Sequence, residues 1–489
     1  FGSSIDDCHS HSTSNGSSNW MSVPPDERST LLGEKKSRTQ CLGTVGIARL
    51  VTFASSFSEG WDLSIFALIL VPVKKEFNLT TDDLVLLASV PMAGGLAGYL
   101  FMGWCMDMFG RKPTIITSYA ICFMGCSLMA TATTVFALGV GRGILALGIR
   151  SGVMTVSVYM SELSPAGSRG TLVSIEEIYI NIGILCATFA AWVLMGTEIL
   201  TWRTYVSIGA CAPALALICI LTLQVPESPR YLQMWGKQDE AVAVLRSALI
   251  GKEEEVQNVL HFWQEEDSMT QKTWKDHLTE IKALPFHLGF RLATYCWIAR
   301  GGSGIIVVGT YFGLLLEGVG HEVMLRWYAI AMLAKTLALI PSVGWLIDAI
   351  GRRAMFLASA LACAGSMAAA AGMHLSGIGM TAVAICLVLY FMSFSIGYGP
   401  VVWVYCFEIL PHRQRGRAAT VSMLCGDIGS GILLILGPYL IRHHGALPYL
   451  VLMVTNLLAA GFFYSKCPET AGMVLECASH VETPPRRDD

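Results

Sequence analysis

Charge is what this sequence has least of. Only 14% of its 489 residues are Asp, Glu, Lys or Arg, against roughly 25% in soluble domains. The net charge is -3 and no basic stretch is present, so nothing offers nucleic acid the cationic footprint it needs. No GxxxxGK[ST] run occurs, which removes support for direct ATP-driven pumping. No nucleophile–base arrangement stands out, so an enzyme is not expected. The 15 cysteines form no CxxC pair and no Cys/His cluster with zinc spacing. Cys122, Cys126, Cys211 and Cys219 lie inside apolar runs, where a thiol packs as a small hydrophobe. His412, His443 and His444 sit at loop edges and need no metal. Neither a metal nor a cofactor is therefore expected. The chain begins at Phe1 rather than Met, as a fragment or a processed form would. Residues 1–42 are rich in Ser, Asp and Gly and lack the apolar core of a signal peptide. They predict a disordered tail reaching to about residue 45.

Apolar residues are what is abundant. They make up 53% of the chain, and mean hydropathy is +0.55. They come in blocks long enough to span a bilayer, which takes about 20 residues. Blocks fall near 46–72, 83–106, 114–134, 136–160, 171–195 and 202–224. Six more fall near 287–315, 325–347, 355–375, 379–405, 418–440 and 447–465. The pattern predicts an all-α membrane protein of about twelve transmembrane helices in two six-helix bundles, 46–226 and 286–467. A charged, helical cytoplasmic linker joins them over 227–285, and a short tail follows over 468–489. The lipid bilayer is thus the first partner.

Lys and Arg in short loops set orientation. Arg111–Lys112, Arg169, Arg352–Arg353 and Arg413–Arg417 share one side with the linker. The other side is poorer in basic residues, although Lys74, Lys75, Arg203, Arg326 and Arg442 lie there. Both termini are expected in the cytoplasm. Asn78-Leu79-Thr80 is a glycosylation sequon that this topology puts outside.

The halves repeat a motif. Gly103-x3-Asp107-x2-Gly110-Arg111-Lys112 recurs as Gly344-x3-Asp348-x2-Gly351-Arg352-Arg353. Glu162-Leu-Ser-Pro165 leads to Arg169-Gly170, and Glu408-Ile-Leu-Pro411 leads to Arg415-Gly416. Two repeated pairs at matching offsets mean a duplicated six-span unit, the arrangement of a two-bundle transporter. Carboxylates and guanidiniums at helix ends form charge-assisted pairs. Pairs that close in one state and open in another supply the bistable element that alternating access needs. Asp107, Arg111, Glu162, Arg169, Asp348, Arg352, Glu408 and Arg415 are the candidates for that gate.

With these motifs the chain resembles the sugar porter family of the major facilitator superfamily over roughly residues 46–470. Gly141-Arg142 and Tyr159-Met-Ser-Glu162-Leu-Ser-Pro165 look like the fourth-span motif. Trp202-Arg203 resembles the pair before the sixth span. Pro226-Glu227-Ser228-Pro229-Arg230-Tyr231-Leu232 is similar to the family's PESPRWL, which adds Glu227 and Arg230 to the gate. Gly399-Pro400-Val-Val-Trp403 and Pro468-Glu469-Thr470 resemble its tenth-span GPxxW and its final PET. The resemblance implies a major facilitator fold with a central site near the bilayer midplane. Gly60-Trp61-Asp62 resembles the GFD or GYD of proton-coupled members. It implies that Asp62 pairs with Arg142, with a proton as the co-substrate; the alternative is uniport, with Asp62 and Arg142 a purely structural pair.

The substrate run departs from the family. The seventh-span QQxxGxN stretch aligns with Arg300-Gly301-Gly302-Ser303-Gly304-Ile305-Ile306. Ser303 and Gly304 remain as candidate substrate contacts, and Trp403 keeps an aromatic wall. The fifth-span Gln aligns with Glu177, and the eleventh-span Trp and Asn with Asp427 and Ser430. Glu59, Asp62, Arg142, Arg150, Glu176, Glu177, Arg300 and Asp427 all lie inside predicted spans. Ionisable groups there face a cavity or a partner. One reading makes them structural ion pairs. The other gives Arg300 and Arg150 an anionic group of the solute, and Glu177 or Asp427 a cationic group or a proton. The expected function is secondary transport of a small polar solute, a sugar, polyol or charged metabolite, with a proton. The alternatives are an organic-ion or amino-acid carrier on the same scaffold and a non-transporting membrane sensor. The plasma membrane is the expected location, with a vacuolar or other internal membrane the alternative.

Overall fold

A computed structural model of the chain describes residues 44–163, 169–195, 201–222, 225–248, 288–316, 318–410, 415–443 and 445–470, with 253, 256, 257 and 259–261 of the linker. The expected N-terminal tail, the linker stretch 262–287 and the chain beyond 470 lie outside the described residues.

The described residues are helical, and twelve helices are long and apolar enough to cross a membrane. In order they are Val45–Phe77, Asp82–Phe109, Arg111–Ala130, Val135–Met160, Ile175–Val193 and Trp202–Thr222. The second six are Leu288–Thr310, Glu322–Ile350, Arg352–Leu375, Met380–Cys406, Ala418–Arg442 and Leu447–Lys466. Between the sets, Pro229–Met234 and Gln238–Ala248 form short linker helices, with Leu232, Ala241, Leu245 and Val256 packed together.

Helix ends follow local chemistry. The first span closes with Asn78 in the left-handed region at φ 50°, while Leu79 N–H returns to Lys74 O at 3.2 Å. That is a Schellman-type stop, and Asn tolerates its backbone better than most residues. Thr80 then caps the second span, sharing a capping box with Asp83. Both polar positions of the sequon therefore have structural work in the turn, with Asn78 exposed.

Small residues set how closely the spans approach. Gly60 packs on the backbone of Ile180, and Gly183 on that of Phe57, joining spans one and five. Gly301 packs on the backbone of Gly426, and Gly426 on that of Trp297, joining spans seven and eleven. These are corresponding pairs of the two halves. Such contacts replace the hydrophobic drive that lipid cannot supply between helices. Across the bundle boundary, span two meets eleven and span five meets eight, again one contact made twice with the halves exchanged.

The seventh span is not the continuous helix its hydropathy predicts. It runs Leu288–Gly302, breaks at Ser303–Gly304, and resumes at Ile305. Gly304 has φ 87°, which a side chain disfavours, and it packs directly on Leu452. The break exposes the carbonyl of Ser303. Tyr390 Oη–H donates to it at 2.8 Å and Asn456 Nδ2–H at 3.1 Å, from spans ten and twelve. Broken backbone at membrane depth needs such partners. The eighth span carries a second irregularity, a π-turn over Ser342–Leu346 directly after Pro341, where proline removes one ladder donor.

Candidate functional site

A cavity lies between the two bundles, lined by residues of spans one, two, four and five and of seven, eight, ten and eleven. It holds about 960 Å³ of empty space, counting the part open to solvent. Pockets for small molecules span about 300–1,000 Å³. Aromatic rings form much of its wall. Trp297 and Trp403 meet edge to face with centroids 4.9 Å apart, and Tyr328, Phe391 and Phe394 stand with them. Six ionisable side chains with opposed charges line it: Glu59, Glu177 and Asp427 against Arg150, Arg300 and Lys335.

Two clasps cross the cavity. Glu177 of the first bundle accepts from Trp403 Nε1–H at 3.2 Å and faces Arg300 Nη2 at 3.5 Å, both in the second bundle. Asp427 of the second bundle accepts from Tyr99 Oη–H at 3.2 Å and faces Arg150 Nε at 3.6 Å, both in the first. Glu177 and Asp427 sit on spans five and eleven, corresponding members of the repeat. Each bundle thus lends a carboxylate to the cations and donors of the other. Arg150 also pairs with Glu59. Buried carboxylates with such partners are held in place, whereas a buried charge that loses its partner is costly. Glu176, next to the clasp, turns away and accepts from Ser157 Oγ–H at 2.8 Å.

Two of the sequence candidates stand beside the cavity rather than in it. Ser303 is fully buried and its hydroxyl donates to Arg300 O at 2.7 Å. Gly304 packs on Leu452. Neither lines the cavity, so their expected contact with substrate is corrected to a part in the helix break. That break points the end of the helix carrying Arg300 at the site.

Asp62 and Arg142 are also apart. Asp62 lies in a separate small pocket with Ser58, Cys122, Cys126 and Leu145. Arg142 donates from Nε to Leu87 O at 3.0 Å and lays its guanidinium over the Phe66 ring at 4.2 Å. Among the described residues no ion pair joins the two, so the expected pairing is not made in this conformation. Arg142 is 7% exposed and its Nη1 has no hydrogen-bond partner.

Lys335 is the cavity residue that sequence reasoning missed. It sits on the eighth span at 5% exposure. The signal was available, an ammonium inside an apolar block, the same cue that singled out Arg300.

On the linker side, the two halves build the same latch twice. Arg111 donates to both carboxylate oxygens of Glu162 at 2.8 and 3.0 Å. Arg352 donates to Glu408 at 3.0 Å, and also pairs with Asp348 at 2.9 Å. Ser228 Oγ–H donates to Glu162 at 2.5 Å, and Thr470 Oγ1–H to Glu408 at 2.6 Å. The carboxylate of Glu227 accepts from the amides of Arg111 and Lys112, and that of Glu469 from the amides of Arg352 and Arg353. Each caps the exposed amides at a helix N-terminus. Tyr159 Oη–H reaches Pro226 O at 2.9 Å, and Tyr405 Oη–H reaches Pro468 O at 3.3 Å. Pro226-Glu-Ser and Pro468-Glu-Thr are thus a third repeated pair, visible only once folded. Burial raises the Glu227 carboxyl above its ordinary range, although the amides it accepts from pull it down. Burial likewise raises Glu408, against the pull of Thr470 and Arg352.

Asp107 and Arg230 lie at the same latch, Asp107 one turn before Arg111 and Arg230 in the first turn after Ser228. The side chains of Arg169 and Arg415 are outside the described ones.

The family model described as "Sugar (and other) transporter" matches residues 48–481. "Putative polyol transporter 1" of Arabidopsis thaliana is 30% identical over 466 residues, covering 86% of this chain and 88% of the relative. "Glucose transporter GlcP" of Staphylococcus epidermidis is 26% identical, with 85% and 92% covered. Among solved structures, the major facilitator proton:xylose symporter XylE bound to 6-bromo-6-deoxy-D-glucose superposes with a TM-score of 0.75 at 22% identity. The match covers 89% of this chain and 98% of that one.

Proposed function

The chain belongs to the sugar (and other) transporter family, a multi-pass membrane transporter of major facilitator fold, and from that premise we propose that it carries a small polyhydroxylated solute together with a proton. The relatives named as polyol and glucose transporters support the solute class. One observation carries the mechanism. The cavity is bridged between the two bundles by reciprocal clasps, Glu177 to Arg300 and Trp403, Asp427 to Arg150 and Tyr99. A solute that displaces a clasp partner exchanges one set of cross-bundle contacts for another. Binding then biases which way the bundles rock, because a ligand shifts an equilibrium only through differential contacts with its states. The duplicated latches hold the linker side while they are closed.

Asp62 is the proposed proton carrier and Arg142 its partner. Approach of the cation favours the carboxylate, and retreat favours the acid. No ion pair joins them in this conformation, and a rocking motion that brings Arg142 onto Asp62 would favour the carboxylate and release a proton. Asp62→Asn should abolish uphill uptake into proteoliposomes while solute exchange continues. Accumulation equal to that of the unaltered protein would overturn the coupling. The basic residues Arg111, Lys112, Arg352 and Arg353 on the linker side support a cytoplasmic linker and termini, and the plasma membrane is the proposed location. The exposure of Asn78 supports an outward-facing first loop.

A further inference from the structure

One charged group facing the cavity makes no direct contact with a counter-charge among the described residues. Tyr328, Met332 and Lys335 follow one another at helical spacing on the eighth span, and all three line the cavity. Lys335 is 5% exposed. Among the described residues no carboxylate stands at ion-pair distance from its Nζ and no acceptor at hydrogen-bond distance. The other lining charges are taken. Glu59 pairs with Arg150, Asp427 with Arg150 and Tyr99, and Glu177 with Arg300 and Trp403. Glu177 acts on Lys335 only through space. An ammonium drawn from bulk water with no contact partner is costly, and charged groups inside a membrane face a cavity or a partner.

We propose that Lys335 receives a carboxylate of the solute, which makes the solute a sugar acid, a uronate or an aldonate, rather than a neutral sugar or polyol. This inference rests on the transport reading above and narrows its substrate class. Three features of the cavity agree with it. Lys335 has three donors and no acceptor, which suits a carboxylate. Arg300 lies on the same cavity, held to Glu177 only at 3.5 Å, and adds a second cation. The carboxylates of Glu177 and Asp427 accept hydroxyl donors, and the Trp297–Trp403 corner offers an apolar face for the carbon skeleton. A neutral polyol would leave the ammonium with only the through-space attraction of Glu177. A carboxylate neutralises it and gains a charge-assisted bond.

The test is equilibrium binding to the full-length purified protein, with uptake into proteoliposomes alongside. The probes are glucuronate, gluconate, glucose and sorbitol. Glucuronate or gluconate should bind at least about tenfold more tightly than glucose or sorbitol, the gain expected of one charged hydrogen bond. Lys335→Met should erase that preference, and Lys335→Arg should keep most of it. Melting curves check that both variants fold. If Lys335→Met does not fold, the acid-to-neutral ratio of the unaltered protein decides alone. Equal binding of glucose and glucuronate would overturn the inference and leave the transport reading standing. Uptake of none of the four probes would overturn both.

Discussion

The linker-side ends of the two bundles and the cavity between them tell opposite stories about one duplication. At the ends the halves match almost bond for bond: Arg111 with Glu162 and Arg352 with Glu408, Glu227 and Glu469 on paired amides, Ser228 and Thr470 on the same acids. At the centre the corresponding acids survive, Glu177 and Asp427, but their partners do not correspond. One meets Arg300 and Trp403, the other Arg150 and Tyr99, and Lys335 has no counterpart partner at all. In the proposed transport cycle the ends serve a motion that both halves share, so the pressure on both is the same. In that cycle the centre serves a solute that has no two-fold symmetry, so the halves differ there.

If this division is right, the largest effect comes from breaking a latch. Arg111→Ala leaves Glu162 as an unpaired acid at 8% side-chain exposure, a loss of about 3–5 kcal/mol when one partner of a buried pair is removed. Arg352→Ala should cost less, because Glu408 is more exposed at 18%, while each acid keeps a hydroxyl bond, from Ser228 or Thr470. Both should slow uptake more than they weaken binding. A variant whose uptake stays near that of the unaltered protein would break the comparison from the side of the ends.

The centre should respond differently. Glu177→Gln keeps the shape but loses the charge that holds Arg300, so solute preference should change along with affinity, by about tenfold for a charged hydrogen bond. Competition binding with acidic and neutral sugars reads this out. An unchanged preference with reduced uptake alone would make the centre as generic as the ends.

A smaller effect sharpens the likeness of the two latches. Gly110 and Gly351 have φ 99° and 93° with extended ψ, a region almost closed to other residues. A Cβ there would stand 2.5 Å from Glu227 Oε2 and 2.6 Å from Glu469 Oε2. Gly110→Ala and Gly351→Ala should each lower stability by roughly 1–3 kcal/mol, with similar drops in melting temperature. Markedly unequal drops would show that the latches are alike in form but not in weight.

The smallest effect is a pH dependence. Burial raises the Glu227 carboxyl above its ordinary 4.5. A group raised on folding favours the folded state most fully below its unfolded value, and that contribution is lost as pH rises through the folded value. Melting temperature should therefore fall above pH 4.5 more in the unaltered protein than in Glu227→Gln. Parallel curves would remove burial as the dominant influence on this carboxylate.

The twelve spans, the duplicated motif and the charged character of the centre were legible in the sequence. Apolar runs and short motifs are local, so reading along the chain is enough to find them. The break in the seventh span was not legible, because Ser303 and Gly304 interrupt neither hydropathy nor length. It depends on Tyr390 and Asn456, which arrive from spans ten and twelve to satisfy the freed carbonyl. The roles of Ser303 and Gly304 were misread for the same reason. An alignment to a substrate run does not say which way a hydroxyl points.

By itself the sequence determined that this is a membrane protein, that it has two related halves, and that its family is one of transporters. Only the tertiary structure decided which charges meet. Glu177 finds Arg300 across 123 residues and Trp403 across 226, and Tyr99 finds Asp427 across 328. In a soluble helix the polar stripe shows which face turns outward. In a membrane span both the lipid face and the core face are apolar, so that stripe fades. The inward face is then set by how helices pack, and packing alone put Lys335 in the same cavity as Glu177, Arg300 and Asp427.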